Sequence, residues 1–440
     1  MIHSPSVAID RDLIAKYDVS GPRYTSYPTA PCFIESFPPE EIGLEVERIR
    51  QRSPHQPISL YLHVPFCDTV CFYCACNKLV TKDRNQSDDY LALLFQEIEA
   101  TGRLVTRHRP VKQIHLGGGT PTFLSLEQLE ALFARIRQHF SLENDDSGEY
   151  GIEIDPREVP PGAIARLRAM GFNRISFGVQ DSNPAVQQAV NRLQPMALNR
   201  RVVEEARAAR FHSINLDLIY GLPLQNRESF SHSLVEVLES LDPDRLAIFN
   251  YAHLPQYFTP QRRIRTQDLP SAEEKLAIME ATIAILSQRG YVYIGMDHFA
   301  KPDNELAIAQ AEGTLHRNFQ GYTTHADCDL FGLGVSSISQ VGEVFAQNHK
   351  TLEAYRDAMR QGCSPVCRGL RRNRDDQIRH AVINRLICRF ALNFAEIETL
   401  FGIHFQDYFH KELPALQPLL ADGLIQISEH GIQVMPVGKL

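Results

Sequence analysis

The sequence predicts an α/β fold: a partial (β/α)6 TIM-like barrel with an N-terminal arm and a smaller, mainly helical C-terminal domain. Three observations predict it. From Ile58 onward, short runs rich in β-branched and aromatic residues alternate with amphipathic helical stretches, the pattern of βα units that build a parallel sheet. A Pro or Asp, residues that end strands, stands within three residues after each run. The chain has 440 residues, and a single core rarely grows past roughly 250 to 300, so a second domain is expected.

Residues 1–57 are rich in Pro, Ser and Tyr without a sustained period and read as an irregular arm, most distinctive at residues 23–28. The catalytic domain is expected over residues 58–360. Its six strands are ISLYLHVPF, QIHLGGG, YGIEID, RISFGVQ, INLDLIYG and RLAIFNYA. Two intervening helices carry capping-box signals, Ser125 with Gln128 and Ser271 with Glu274, in which side chains satisfy orphan backbone donors. Gly290 suits a helix C-terminus. Residues 361–374, with two cysteines, a proline and a basic cluster, read as a linker. Residues 361–440 then form the small helical domain, which closes in a hairpin turning at residues 429–431.

Hydrophobic residues at 43% and charged residues at 22% exclude disordered and fibrous classes. No apolar run approaches the length of a membrane span, and the first residues lack a basic region followed by an apolar one, so a cytoplasmic protein is expected. A formal net charge of -8 argues against nucleic acid as a partner. A monomer is expected.

Nine cysteines are present, four of them crowded into HVPFCDTVCFYCACN at Cys67, Cys71, Cys74 and Cys76. In a cytosolic chain such crowding points to metal or redox chemistry. A structural zinc site needs four ligands in paired knuckles, and no second C-x-x-C or His pair completes one nearby. The gaps of three and two residues between Cys67, Cys71 and Cys74 repeat the spacing of radical S-adenosylmethionine enzymes. Three thiolates on a [4Fe-4S] cubane leave one iron without a protein ligand, whereas electron-transfer clusters normally have four cysteines. The open iron can chelate S-adenosylmethionine, which one electron then cleaves to a 5′-deoxyadenosyl radical. The motif follows the first strand, so it is expected at the strand C-termini, where parallel barrels place their active sites. The glycines of residues 117–121 end the second strand and let backbone approach a ligand closely.

The series RYTSYPT, LYLHVPFCDTVCFYCACNK, HLGGGTPT, EIDPRE, GFNRISFGVQD, INLDLIYGLP, FNYAHLP, GMDHFA and HRNFQGYTT resembles, in that order and over nearly the whole chain, the oxygen-independent coproporphyrinogen III oxidases. The resemblance implies a radical S-adenosylmethionine barrel whose cluster is held by Cys67, Cys71 and Cys74. It implies that Tyr61, Tyr73, Gly118, Gly119, Thr120, Glu153, Gln180, Arg192, Asp217, Ala252 and Ile338 line sites for two S-adenosylmethionine molecules. Glu153 suits ribose hydroxyls, Arg192 suits a methionine carboxylate in bidentate geometry, and Asp217 suits a second ribose or an amine. Read alone, Glu153 and Asp217 are better taken as helix caps and Arg192 as a surface residue; the resemblance reverses that preference.

Cys76 stands outside the three-cysteine set. The resemblance gives it a catalytic role and separates the chain from related haem chaperones, which typically carry an aromatic residue there. Arg23 and Tyr24 of the arm are the expected contacts to the substrate, coproporphyrinogen III. Cys363 and Cys367 read as linker thiols, and Cys32, Cys328 and Cys388 as structural. The implied reaction removes a β-hydrogen and carbon dioxide from two propionates and yields protoporphyrinogen IX in porphyrin and haem biosynthesis. It requires an electron donor such as flavodoxin and an unidentified terminal acceptor. Relatives of this kind usually continue past the hairpin while this chain stops at Leu440, so a shortened C-terminal domain is expected, with the cofactor residues untouched.

Overall fold

Alternation of apolar and polar side chains builds the central sheet. Its strands are β1 (Ile58–Val64), β2 (Pro110–Gly118), β3 (Glu149–Ile154), β4 (Arg174–Gln180), β5 (Ser213–Tyr220) and β6 (Arg245–Asn250). They coincide with the six expected segments. All neighbours pair in parallel and in chain order. The structure is a computed structural model and describes residues 11–17, 24, 26–143 and 145–439.

In parallel register, residues opposite one another point to the same face. Leu60, Ile114, Ile152, Ile175, Leu216 and Leu246 are fully or almost fully buried on one face. The other face carries Tyr61 beside His115, Glu153 beside Ser176, Ser176 beside Asn215, and Gly178 beside Asp217. Crossovers between strands run through α1 (Asn85–Val105), α2 (Leu126–His139), α3 (Ala163–Met170), α4 (Met196–Ala208) and α5 (Arg227–Leu241).

Beyond β1 the sheet continues with a parallel strand, β7 (Asp329–Leu333), and then three antiparallel ones, β8 (Ile338–Val341), β9 (Val344–Asn348) and β10 (Val366–Arg371). The strand path is open, with no closing pairing among the described residues. The expected partial barrel is therefore the observed architecture.

The chain divides into two units, residues 33–282 with 327–371, and residues 1–32 with 283–326 and 372–440. These differ from the linear boundaries expected at residues 57 and 360. The region read as a linker contains strand β10. Gly369 there pairs with Ala346, and a Cβ on it would meet the Phe345 carbonyl oxygen at 2.5 Å and the Phe37 ring at 2.6 Å. Arg371 anchors the strand through Glu41, Glu45 and Glu343. Residues 40–52 of the expected irregular arm form a helix that buries Val46 and Ile49.

In the other unit Ile294, Ala300, Leu306, Leu315 and Tyr322 share one apolar cluster with Cys388, which is why residues 283–326 group with the C-terminal region. The helix Arg374–Arg389 precedes a three-stranded sheet of Ala391–Asn393, Gly431–Val434 and Ile425–Ile427, the last two forming the expected hairpin.

Both cap predictions are visible, with one difference. Ser125 and Gln128 form the complete box. Ser271 accepts from the Glu274 N–H at 3.1 Å, but the Glu274 carboxylate accepts from the Arg227 N–H. Gly290 adopts φ 80° just after the helix Ala272–Gln288. No helix among the described residues is long and apolar enough to cross a membrane.

Candidate cluster and cofactor site

The cysteines stand on one loop at the C-terminal end of β1. The loop is closed at its base by parallel bridging of Phe66–Cys67 with Leu79–Val80, reinforced by the Leu79 N–H on the Pro65 carbonyl and the Thr81 N–H on the Cys67 carbonyl at 3.0 Å. Within it the Cys74 N–H donates to the Cys71 carbonyl at 3.2 Å. The surroundings hold it from both sides. Phe72 N–H donates to the Val190 carbonyl at 2.9 Å, Asn191 Nδ2 to the Val70 carbonyl at 2.8 Å, and Gln261 Nε2 to the Tyr73 carbonyl at 3.1 Å.

Cys67 and Cys71 are buried, Cys74 is half-buried and Cys76 exposed. Burial pushes the Cys67 thiol up to about 12, while a hydrogen bond from the Cys76 side chain draws Cys74 down to about 5. Two guanidinium groups flank Cys71. Arg192 Nη1 lies 3.6 Å and Arg157 Nη2 3.9 Å from its sulfur. Both are set by Asp155, which takes Arg157 Nη2 at 2.6 Å and Arg192 Nη1 at 3.2 Å. Desolvation would raise the Asp155 carboxyl, but the two arginines outweigh it and bring it to about 2.

Arg192 also gives Nη2 to the Gly178 carbonyl at 2.8 Å, so of its nitrogens only the buried Nε has no partner in the protein. The bidentate pairing expected of Arg192 is taken up within the protein. Gln180, at the end of β4, is held at φ 65° and its buried Oε1 likewise has no partner. Gly178 makes room for it, because a Cβ there would overlap the Gln180 amide.

The glycine run forms a cradle against the cysteine loop. A Cβ on Gly118, at φ 117°, would meet the His63 ring, and one on Gly119 would lie 2.7 Å from the Phe66 carbonyl oxygen. Thr120 Oγ1 lies 3.4 Å from the Cys67 sulfur, and its N–H donates to the Phe66 carbonyl at 2.7 Å.

On the polar face, Tyr61 stacks on His115 at 6.0 Å and its hydroxyl meets His63 Nδ1 at 3.0 Å, while His63 Nε2 lies 2.9 Å from the Asn77 carbonyl. His115 Nε2 pairs with Glu153 Oε1 at 3.0 Å. Asp217 accepts from Asn215 at 2.9 Å. Burial, aided by the Glu153 charge, pushes its carboxyl up to about 7. Ile338 opens β8, and a Cβ on Gly332, the register partner of Tyr61, would fall 2.5 Å from the Ile338 carbonyl oxygen. Ala252 follows β6 and accepts from Gln261 at 3.2 Å.

The structure thus brings the three cysteines together with Tyr73, Thr120, the glycines and Arg192, and sets Tyr61, Glu153 and Asp217 on one face of the sheet. Tyr24 belongs to the other unit, where it is exposed with its ring 5.8 Å from Tyr27. Arg23 lies outside the described residues. Sequence reasoning passed over His115, Asp155 and Arg157. The signal for two of them was present, since EIDPRE places Glu153, Asp155 and Arg157 at alternate positions.

These residues fit an iron–sulfur cluster with an organic ligand beside it. Three thiols come from one loop, cations lie against the Cys71 sulfur as an anionic cluster requires, and Arg192 Nε and Gln180 Oε1 are buried without partners. An open parallel sheet with such a loop after its first strand defines a radical S-adenosylmethionine protein, and a family model of the Radical SAM superfamily matches residues 61–236. The HemN C-terminal domain model matches residues 373–440.

The chain is 53% identical to the oxygen-independent coproporphyrinogen III oxidase of Pseudomonas aeruginosa, over 98% of this chain and 93% of the relative. It is 50% identical to that of Escherichia coli over the same shares. The solved structure described as coproporphyrinogen III oxidase (HemN) from Escherichia coli, a radical SAM enzyme, superposes with a TM-score of 0.93 at 47% identity, covering 99% of this chain and 97% of that one. The chain belongs to the oxygen-independent coproporphyrinogen III oxidase family.

Proposed function

We propose that this enzyme decarboxylates coproporphyrinogen III oxidatively, without oxygen, to protoporphyrinogen IX, with a [4Fe-4S] cluster on Cys67, Cys71 and Cys74 and two molecules of S-adenosylmethionine. The observation that carries the reading is the three-cysteine loop, buried against Arg192 and Arg157 and beside the 117–119 cradle. Family membership and the names of the relatives support the substrate.

The cluster and S-adenosylmethionine, when bound, supply hydrogen-atom abstraction from carbon. Each propionate, –CH2–CH2–COO⁻, becomes –CH=CH2 by giving up carbon dioxide, one hydrogen atom and one electron. The chain's own residues bind and orient. Asp155 holds Arg192 and Arg157 so that their charge faces Cys71. Gly118, Gly119 and Thr120 let a ligand lie against backbone, and Arg192 Nε and Gln180 Oε1 offer it a donor and an acceptor. Tyr73, fixed through its carbonyl by Gln261, and Tyr61, Ala252 and Ile338 are the remaining lining residues.

The Glu153–His115 pair is suited to hydroxyl groups of a ribose. Asp217, whose carboxyl burial pushes up to about 7, holds a proton more readily than an ordinary carboxylate and can donate as well as accept. Cys76 reaches the Cys74 side chain and, being exposed, is free to meet the substrate. Arg23 and Tyr24 are assigned to substrate carboxylates and ring surface. The protein acts as a cytoplasmic monomer that draws electrons from a carrier such as flavodoxin and passes one per propionate to a terminal acceptor.

The test is anaerobic. Reconstituted, reduced protein is incubated with S-adenosylmethionine and coproporphyrinogen III, and the tetrapyrrole is analysed by mass. Loss of two carboxyl groups is expected; an unchanged tetrapyrrole bound stoichiometrically would contradict the assignment.

A further inference from the structure

Two segments converge on the cysteine loop, and neither they nor residues 69–81 of the loop itself carry an acidic residue. Residues 69–81 contain Lys78, residues 182–203 contain Arg192, Arg200 and Arg201, and residues 251–267 contain Arg262, Arg263 and Arg265, all without Asp or Glu. In a chain with a net charge of -8 and 53 acidic residues, such a stretch over one site calls for an explanation. The hydrogen bonds that bring the segments together are specific: Phe72 N–H to the Val190 carbonyl, Asn191 to the Val70 carbonyl, and Gln261, itself 1% exposed, to the Tyr73 carbonyl.

The segment 251–267 folds back on itself, with Arg262 Nε on the Pro255 carbonyl at 3.1 Å and the Leu254 N–H on Gln261. Its three arginines are exposed. Arg263 lies over the ring of Phe72, the residue after Cys71, at 5.2 Å. Arg265 pairs through Nε with Asp268 at 2.7 Å. Beside them Tyr257 is 77% and Leu254 36% exposed. A small apolar contact rimmed by like charge is the form of a transient, electrostatically steered interface.

We propose that the surface formed by Leu254, Tyr257, Arg262, Arg263 and Arg265 is the docking face for an acidic one-electron carrier protein. The inference rests on the functional reading above, which requires an electron at the cysteine loop. Charge complementarity selects the occupant: a carrier with an acidic rim around its cofactor meets arginines here, and Arg263 on Phe72 puts the contact one residue from a cluster-bearing cysteine. The carrier gives up one electron in the complex and no atom is exchanged. Steering by complementary charge acts mainly on association and on its salt dependence.

The experiment uses the reconstituted holoenzyme and oxidised flavodoxin as the probe, with binding measured by calorimetry at low and at physiological salt. The wild type is expected to bind more weakly as salt rises. Combined Arg262→Glu, Arg263→Glu and Arg265→Glu substitution is expected to lower the affinity about tenfold or more, and to lower turnover driven by reduced flavodoxin in parallel. Turnover driven by dithionite should stay unchanged. A second variant, Arg262→Glu with Arg265→Glu, keeps Arg263 on Phe72 and is expected to show the same split to a smaller degree.

Unchanged flavodoxin binding in both variants would overturn the proposal. So would a raised KM for coproporphyrinogen III under dithionite, which would assign these arginines to substrate carboxylates. Absence of dithionite-driven turnover in the wild type would contradict the functional reading instead, and the binding measurement would still decide this one.

Discussion

At Cys71 a buried sulfur on the loop after β1 meets two guanidinium groups that a single buried carboxylate, Asp155, holds in place. The cysteine spacing was legible in the sequence because the chemistry fixes it. Arg192 was legible only through resemblance, and Asp155 and Arg157 were not singled out, because a carboxylate after a strand reads equally as a cap. Their role depends on where residue 192 arrives in space.

The same holds for His115, whose place between Tyr61 and Glu153 follows from strand register. Gly119→Ala would put a Cβ 2.7 Å from the Phe66 carbonyl oxygen and 2.8 Å from the Pro65 carbonyl carbon. It is expected to displace the approach to Cys67 and weaken S-adenosylmethionine binding about tenfold, equivalent to about 1.4 kcal/mol, as read by equilibrium binding.

Asp217→Asn should stabilise the cofactor-free protein. The folded carboxyl, at about 7 against an ordinary 3.8, binds its proton more tightly than the unfolded one. The wild type therefore loses stability as pH rises from about 4 to about 7. Urea unfolding at neutral pH should show the variant more stable by roughly 1 to 3 kcal/mol, with the gain shrinking towards pH 4. A gain independent of pH would refute the assignment.

At the scale of elements, α1 joins strand ends that lie far apart in sequence. Tyr90 donates to the His63 carbonyl at 2.6 Å at the end of β1 and accepts from the Val335 N–H at 3.1 Å after β7. One turn pair further along, the buried Glu97 accepts from the Gly334 N–H at 2.8 Å, Asn348 at 2.6 Å and Tyr355 at 2.6 Å. Burial raises its carboxyl in spite of these three donors. The network fixes the turn that leads into Ile338. Removing the carboxylate strands three buried donors, so Glu97→Ala is expected to cost about 3 to 5 kcal/mol in chemical unfolding, and Tyr355→Phe about 1 to 2 kcal/mol. Equal, small losses for both would show that Glu97 is not the hub.

None of this was visible beforehand. A glutamate on a long amphipathic helix reads as solvated, and only the depth of the fold reverses that. Strand β10 was hidden for a similar reason: VCRGLR has a basic, linker-like composition, and its pairing depends on Phe37 filling the space above Gly369.

Across the whole molecule, the parallel sheet and its order were legible because six apolar runs with β propensity recur at βα spacing, and short right-handed crossovers leave few topologies. The division into units was not. Residues 283–326 bury Ile294, Leu306 and Tyr322 around Cys388, a partnership made in three dimensions between segments that no linear boundary joins. The full-length match to the oxygen-independent oxidases then places the three-cysteine loop in a chain whose reaction needs two hydrogen-atom abstractions. Oxygen sensitivity is expected at this scale: aerobic handling should abolish turnover, and anaerobic reconstitution with iron and sulfide should restore it. Full activity in aerobically purified, unreconstituted protein would rule out the cluster.

The proposed role of the loop bearing Cys67, Cys71 and Cys74 is to drive two decarboxylations. The most direct measurement counts 5′-deoxyadenosine against vinyl groups in one anaerobic reaction, for the wild type and for Cys71→Ala. One deoxyadenosine per vinyl group is expected, hence two per protoporphyrinogen IX, and neither product from the variant. Vinyl groups formed by Cys71→Ala at the wild-type rate, or formed by the wild type without deoxyadenosine, would contradict it.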